Sequence, residues 1–89
     1  MKLLILYRPE SEHSTETESF VRDFQRGYEV GQRVELVSLS TRDGAATASL
    51  YDITAYPAIL ALADNGSVIN IWQGRPLPLM QEVASYAFG

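Results

Sequence analysis

Cysteine is absent from this sequence, and with it go disulfide staples, thiolate metal ligands and thiol nucleophiles. Positive charge is scarce as well: seven Lys and Arg stand against eleven Asp and Glu, a net charge of -4, with no basic run. Binding to a phosphate backbone depends on neutralising it, so no nucleic-acid partner is expected. No stretch approaches the roughly 18 continuous apolar residues of a membrane span. Met1-Lys2 leads into only five apolar or aromatic residues, Leu3 to Tyr7, before Arg8 interrupts them, which is too short for a signal peptide. Together these absences predict a cytoplasmic protein with no membrane partner. At 89 residues the chain is expected to form one domain, residues 1–89, small enough to need a well-packed core.

Against those absences, Tyr51 to Gly74 is the most informative stretch. Two apolar runs, Ala58 to Ala63 and Val68 to Trp72, flank Asp64-Asn65-Gly66-Ser67, whose Asn-Gly pair supplies the positive backbone angles of a tight hairpin turn. Pro57 stands directly before the first strand, where its missing N–H removes no ladder bond from the interior.

Upstream, Leu3 to Tyr7 is a continuous apolar run, the pattern of a strand buried on both faces. Arg8-Pro9-Glu10 ends it. Ser11, Ser14 or Thr15 then qualifies as a helix cap, with Thr15 and Glu18 at capping-box spacing. Phe20, Val21, Phe24 and Tyr28 fall on one helical face, and Gly27 or Gly31 stops the helix. Val34 to Leu39 reads as a second strand. A short helix capped by Thr41 or Asp43 runs through Ala45, Ala46, Ser49 and Leu50. Pro78 suits the first turn of a terminal helix whose apolar face is Leu79, Val83 and Tyr86, with Met80 and Ala87 beside them. The order is βαβαββα, without repeats, linkers or low-complexity segments.

Tyr51, Ile53, Tyr56-Pro57, Ile59 to Leu62, Asn65-Gly66 and Gly74 follow one another as the corresponding features do in the thioredoxin-like superfamily, which this chain resembles over nearly its whole length. The resemblance implies a minimal thioredoxin-like α/β fold with a four-stranded mixed sheet. Its first two strands would be parallel, the hairpin antiparallel beside β1, and helices would cover both faces. It also implies a cis peptide bond before Pro57.

In redox members of that family a Cys-x-x-Cys motif sits between the first strand and first helix. Here Tyr7-Arg8-Pro9-Glu10-Ser11-Glu12-His13-Ser14 puts Ser11 and Ser14 at the two cysteine positions. An alcohol is too weak an acid to replace a thiolate in disulfide exchange. The buried acid that thioredoxins carry on the first strand is missing too, since Ile5-Leu6 occupies that segment. Thiol–disulfide oxidoreductase activity is therefore excluded, and no cofactor is expected.

What the resemblance leaves is a binding surface. In the family, the residue before the cis-proline offers its backbone to an extended peptide or to glutathione. Tyr56 takes that place, with Pro57, Gln73, Gly74 and Ser11 around it and His13 and Ser14 beside Ser11 as further candidate binding residues, and the expected function is a non-redox binding or adaptor domain for a protein or peptide. One alternative is a glutathione-using, transferase-like enzyme in which Ser11 donates to the thiolate and Arg8 attracts a carboxylate. Another is a structural domain whose groove is unused. His13, the sole histidine, has no orienting acid specified for a triad with Ser11 or Ser14, matches no metal-ligand spacing, and reads as an exposed loop residue; no metal is expected. Glu10, Glu12, Glu16 and Glu18 crowd the start of the first helix, where the dipole welcomes them, and they bias the rim toward a basic partner. Alternation in the last strand puts Ile69 and Ile71 on one face and Val68, Asn70 and Trp72 on the other. Trp72 is expected to pack under a helix. The chain is expected to be a monomer, or a weak homodimer joined through a sheet edge.

Overall fold

In the computed structural model, which describes residues 2–27 and 33–88 without the side chains of Arg33, Ala87 and Phe88, the elements follow the expected order. They are β1 (Lys2–Tyr7), α1 (Ser14–Gly27), β2 (Arg33–Ser38), α2 (Arg42–Leu50), β3 (Ala58–Leu62), β4 (Val68–Gln73) and α3 (Met80–Phe88). Tyr28 and Gly31 lie outside the described residues. The strands form one mixed sheet in the order β2-β1-β3-β4, with β1 and β2 parallel and the other neighbours antiparallel.

The two central strands are buried along their length. Leu3 and Ile5 point to one face, joining Ile59 and Ala61 under α1 and α3 through Val21, Phe24, Val83 and Ala84. Leu4 and Leu6 point to the other, joining Ala58, Leu60 and Leu62 beneath Ala48 of α2 and Ile53. Continuous apolar strands thus fill two cores, one on each side of the sheet, as helices on both faces require.

At the edges the simple patterns fail. On β2, Val34 packs toward α1, Val37, with Leu39 just past the strand, packs toward α2, and Leu36 is exposed. In β4 the register slips between Ala61 and Leu62: Asn70 faces Ala61 but Val68 faces Leu62. Ile69 is therefore the extra residue of a β-bulge, and the strict alternation expected from Val68 onward holds only beyond it. Ile71 packs with the α2 core and Trp72, half-buried, with the α1–α3 core.

The hairpin turn also differs from the expected tight Asn-Gly pair. Gly66 alone has a positive φ, 89°, and its N–H donates to the Ala63 carbonyl at 2.8 Å. Asn65 contributes through its side chain, whose Oδ1 accepts from the Ser67 N–H at 3.0 Å and hydroxyl at 2.7 Å.

Of the two candidate caps of α2, Thr41 takes the role and Asp43 lies within the first turn: the Thr41 backbone is extended, φ -92° and ψ 157°, and its Oγ1 accepts the Gly44 N–H at 3.0 Å. In α3, Leu79 is not on the apolar face. Its carbonyl accepts the N–H groups of Glu82 and Val83, so it stands at the cap. It is 67% exposed. Pro78 lies before the helix rather than in its first turn. Val83 and Ala84 carry the buried face, while Tyr86 is exposed and stacks edge-on against Trp72 at 5.3 Å.

Candidate functional site

Three connections meet beyond the C-terminal end of β1: the loop 8–13, the segment 54–57 ahead of β3, and residues 73–75 after β4. At the strand's end, the buried Tyr7 phenol donates to Glu18 Oε2 at 3.2 Å. Burial first, and then the neighbouring carboxylate, push the Tyr7 pKa above its ordinary value.

The loop after β1 is wound by hydroxyl groups. Ser11 donates to the Arg8 carbonyl through both its N–H, 3.3 Å, and its Oγ, 2.6 Å. Ser14 donates to Ser11 in the same way, at 3.2 and 3.0 Å, and Thr17 to His13 at 3.0 and 2.8 Å. The turn passes through Glu10 at φ 63°, a left-handed conformation uncommon in a residue with a long side chain. Ser11 and Ser14 were expected to accept free helix N–H groups, but their hydroxyls donate to carbonyls instead. Thr15 lies one residue inside the helix.

His13 is buried rather than exposed. Its Nε2 accepts the Arg8 N–H at 3.1 Å, satisfying a donor that lies beyond the last rung of the β1 ladder. With Nε2 so engaged and both serine hydroxyls donating to carbonyls, the loop holds no Ser–His couple. Among the described residues no group of acids and histidine is arranged to hold a metal.

Tyr56 is fixed by its own side chain. The hydroxyl donates to the Ile53 carbonyl at 3.1 Å, the ring packs against the α2 core, and the Arg8 guanidinium lies 5.9 Å from its centroid, within cation–π range. The ring is therefore occupied. The Tyr56 backbone N–H and C=O, by contrast, have no partner among the described residues. The Tyr56–Pro57 bond is cis, as is Arg75–Pro76. Pro57 is buried, and its carbonyl accepts the Gly74 N–H at 2.9 Å.

Gln73 is a brace. Its Oε1 accepts the N–H groups of Thr54 at 2.9 Å and Ala55 at 3.3 Å. Gly74 turns the chain at φ 80°, and Arg75 then reaches Glu16 in the first turn of α1 at 3.2 Å. Of the expected site residues, Ser11, Tyr56, Gln73 and Gly74 border this surface, Gln73 as its brace, whereas His13, Ser14 and Pro57 lie buried beneath it. Arg8 and Arg75 matter more than their sequence positions suggest, since Arg8 ties the first loop to the Tyr56 ring and Arg75 ties the segment after β4 to α1.

The acidic residues divide in the same way. Glu16 is spent on Arg75 and Glu18 on Tyr7. Glu10 and Glu12 are exposed and make no ion pair among the described residues. An open groove of about 540 Å³ lies at the other end of the sheet, lined by Lys2, Leu4, Tyr51, Leu62 and Asp64 among others, and touches none of these residues.

No family model matches the sequence, and no curated protein matches it. Among solved structures it is similar to a designed protein known from a crystal structure, with a TM-score of 0.79 at 16% identity over 99% of this chain and 76% of that one. That likeness is one of fold.

Proposed function

We propose that this chain is a non-redox, thioredoxin-like binding or adaptor domain of the cytoplasm, which takes up an extended protein or peptide segment along the Tyr56-Pro57 surface beside the acidic start of α1. The observation that carries this reading is the unpartnered backbone of Tyr56. An N–H and a C=O presented together on one residue are complementary to a strand, and a strand is what they would pair with. The side chain of Tyr56 is held away by its own hydrogen bond, leaving the backbone as the reading head. Glu10 and Glu12 stand on the neighbouring loop without cationic partners among the described residues, which favours Lys- or Arg-containing segments.

A glutathione-using enzyme has weaker support, because the Ser11 hydroxyl already gives its proton to the Arg8 carbonyl at 2.6 Å. That leaves Ser11 with no free donor for a thiolate.

The test is an amide NMR titration with a pool of extended Lys- and Arg-containing peptides, and separately with reduced glutathione. Saturable peptide-induced shifts at Tyr56, Ser11 and Gly74, weakened in Glu10→Gln/Glu12→Gln, are expected. Peptide-induced shifts that avoid Tyr56, or shifts at Ser11 and Tyr56 with glutathione alone, would replace this reading.

A further inference from the structure

β4 is an outer strand of the sheet, and its six residues, Val68 to Gln73, carry no charge. Val68 and Ile69 are more than two-fifths exposed, at 43% and 42%. An uncharged apolar edge is the kind of strand that recruits another. The backbone pattern says which groups are open. Gly74 donates to the Pro57 carbonyl, so in an antiparallel ladder Gly74, Trp72 and Asn70 face β3, and Gln73 and Ile71 turn their N–H and C=O outward. One of these outward donors is already taken. The Ile71 N–H donates to Oδ1 of Asn70, the residue before it, at 2.9 Å.

We propose that the Asn70 amide is a guard that keeps this edge closed, and that the occupant it keeps out is the β4 strand of a second copy of the chain. The strand is self-complementary. Pairing Ile71 with Gln73 of the other copy, and Gln73 with its Ile71, uses both outward residues reciprocally, places the two Trp72 residues side by side on the symmetry axis, and stays clear of the Ile69 bulge. The absence of charge in β4 means that no charged side chain of one paired strand opposes one of the other. What prevents the pairing is that the Ile71 N–H would have to give up Asn70 Oδ1, while the bulge at Ile69 shortens the flat part of the edge. This inference is independent of the Tyr56 surface.

Sedimentation velocity over a concentration series tests it, on the natural sequence and on Asn70→Val, Asn70→Ala and Asn70→Asp. Valine removes the acceptor while remaining a good strand former, so it covers the case in which alanine weakens the fold. Natural-sequence protein and Asn70→Asp, which keeps an acceptor, are expected to stay monomeric. Asn70→Val and Asn70→Ala are expected to dimerise with rising concentration, with a change in emission from Trp72, the sole tryptophan. In the natural monomer, the Ile71 amide should exchange with solvent on the order of fivefold more slowly than the Gln73 amide after correction for intrinsic rates, the effect of one modest hydrogen bond. Monomeric, folded Asn70→Val, or equal exchange at Ile71 and Gln73, would overturn the guard. Binding of a synthetic peptide of unrelated strand sequence by Asn70→Val without self-association would overturn the second copy as its occupant.

Discussion

Replacing Gly44 with alanine reverses the usual sign of a glycine-to-alanine change in a helix. Gly44 lies in the first turn of α2, and on propensity alone alanine would stabilise the helix by about 1 kcal/mol. A Cβ at this position, however, would drive into the carbonyl of Ser38, with the carbonyl carbon only 2.8 Å away and Thr41 Oγ1 at 3.0 Å. Neither neighbour is the free end of a flexible side chain. The Ser38 carbonyl accepts both the Thr41 N–H at 3.2 Å and the Thr41 hydroxyl at 2.8 Å, and Thr41 in turn caps the helix. Moving α2 outward to admit the methyl group therefore strains the bond network that starts it. Overpacking costs about 1–3 kcal/mol and the cap is worth about 1 kcal/mol. Set against the propensity gain, the net loss is about 1–3 kcal/mol.

In a domain of this size a loss of about 2 kcal/mol lowers the Tm by roughly 8–16 °C. Equilibrium urea unfolding at constant slope, with a thermal melt alongside, measures it. Gly27→Ala is the internal control: it ends α1, and its new methyl would meet nothing within 4 Å, so it should be neutral or stabilising. A Gly44→Ala protein as stable as the parent, or more so, would refute the claim that close approach of α2 to the end of β2 dictates glycine here.

Other perturbations separate braces from bystanders. Gln73→Ala removes the acceptor shared by the Thr54 and Ala55 N–H groups; it should cost about 1 kcal/mol in urea unfolding and speed hydrogen exchange at those two amides. Val83, fully buried in the α1–α3 core, should lose roughly 2 kcal/mol on truncation to alanine, whereas Leu50→Ser, at a side chain 73% exposed, should stay within about 0.5 kcal/mol of the parent. The raised Tyr7 pKa means that the folded chain holds this proton more tightly than the unfolded one. Its contribution is fully present below the ordinary value of 10.0 and is lost as pH rises above it. Alkaline urea titrations should therefore show the parent losing stability relative to Tyr7→Phe above that pH, and parallel pH profiles for the two proteins would contradict this.

The parts of the fold legible in the sequence were those set by local pattern. A run such as Leu3 to Leu6 has no polar face, so it declares a strand covered on both sides, and the structure buries all four residues. Thr41 sits one step before a helical segment, and a cap is a local bond. Gly66 needs its positive φ wherever the hairpin is placed. What escaped the reading depends on residues far apart in the chain. Gln73 meets Thr54 across 19 positions, and nothing in the run Trp72-Gln73-Gly74 marks the glutamine as a brace. His13 looked like a loop residue because its neighbours are glutamates and serines; its burial follows from the Arg8 N–H left over at the end of β1. The bulge at Ile69 leaves no trace in a strand whose apolar residues still alternate from Ile69 to Ile71. The spacing of Leu79 places it on the apolar face of α3, although its carbonyl starts the helix and its side chain stays outside.

Those non-local bonds bear on function as well as on stability. Each part of the candidate surface is held by polar contacts: Arg8 to His13 within the first loop, Gln73 to Thr54 and Ala55 across the hairpin, and Arg75 to Glu16 on α1. The segment that carries Tyr56 is thus held by hydrogen bonds of the fold itself. Binding to such a surface avoids the ordering cost that a mobile loop would bear, which is on the order of 1 kcal/mol for each residue fixed. On the adaptor reading, the braces would therefore contribute to affinity without touching the ligand. On the adaptor reading, a residue such as Gln73 acts by positioning, and its loss should weaken peptide binding mainly through slower association or a less ordered free state. Loss of an acidic rim residue such as Glu12 should instead alter the salt dependence of association. A domain with no ligand would show the stability effect of the first change and no binding consequence of either.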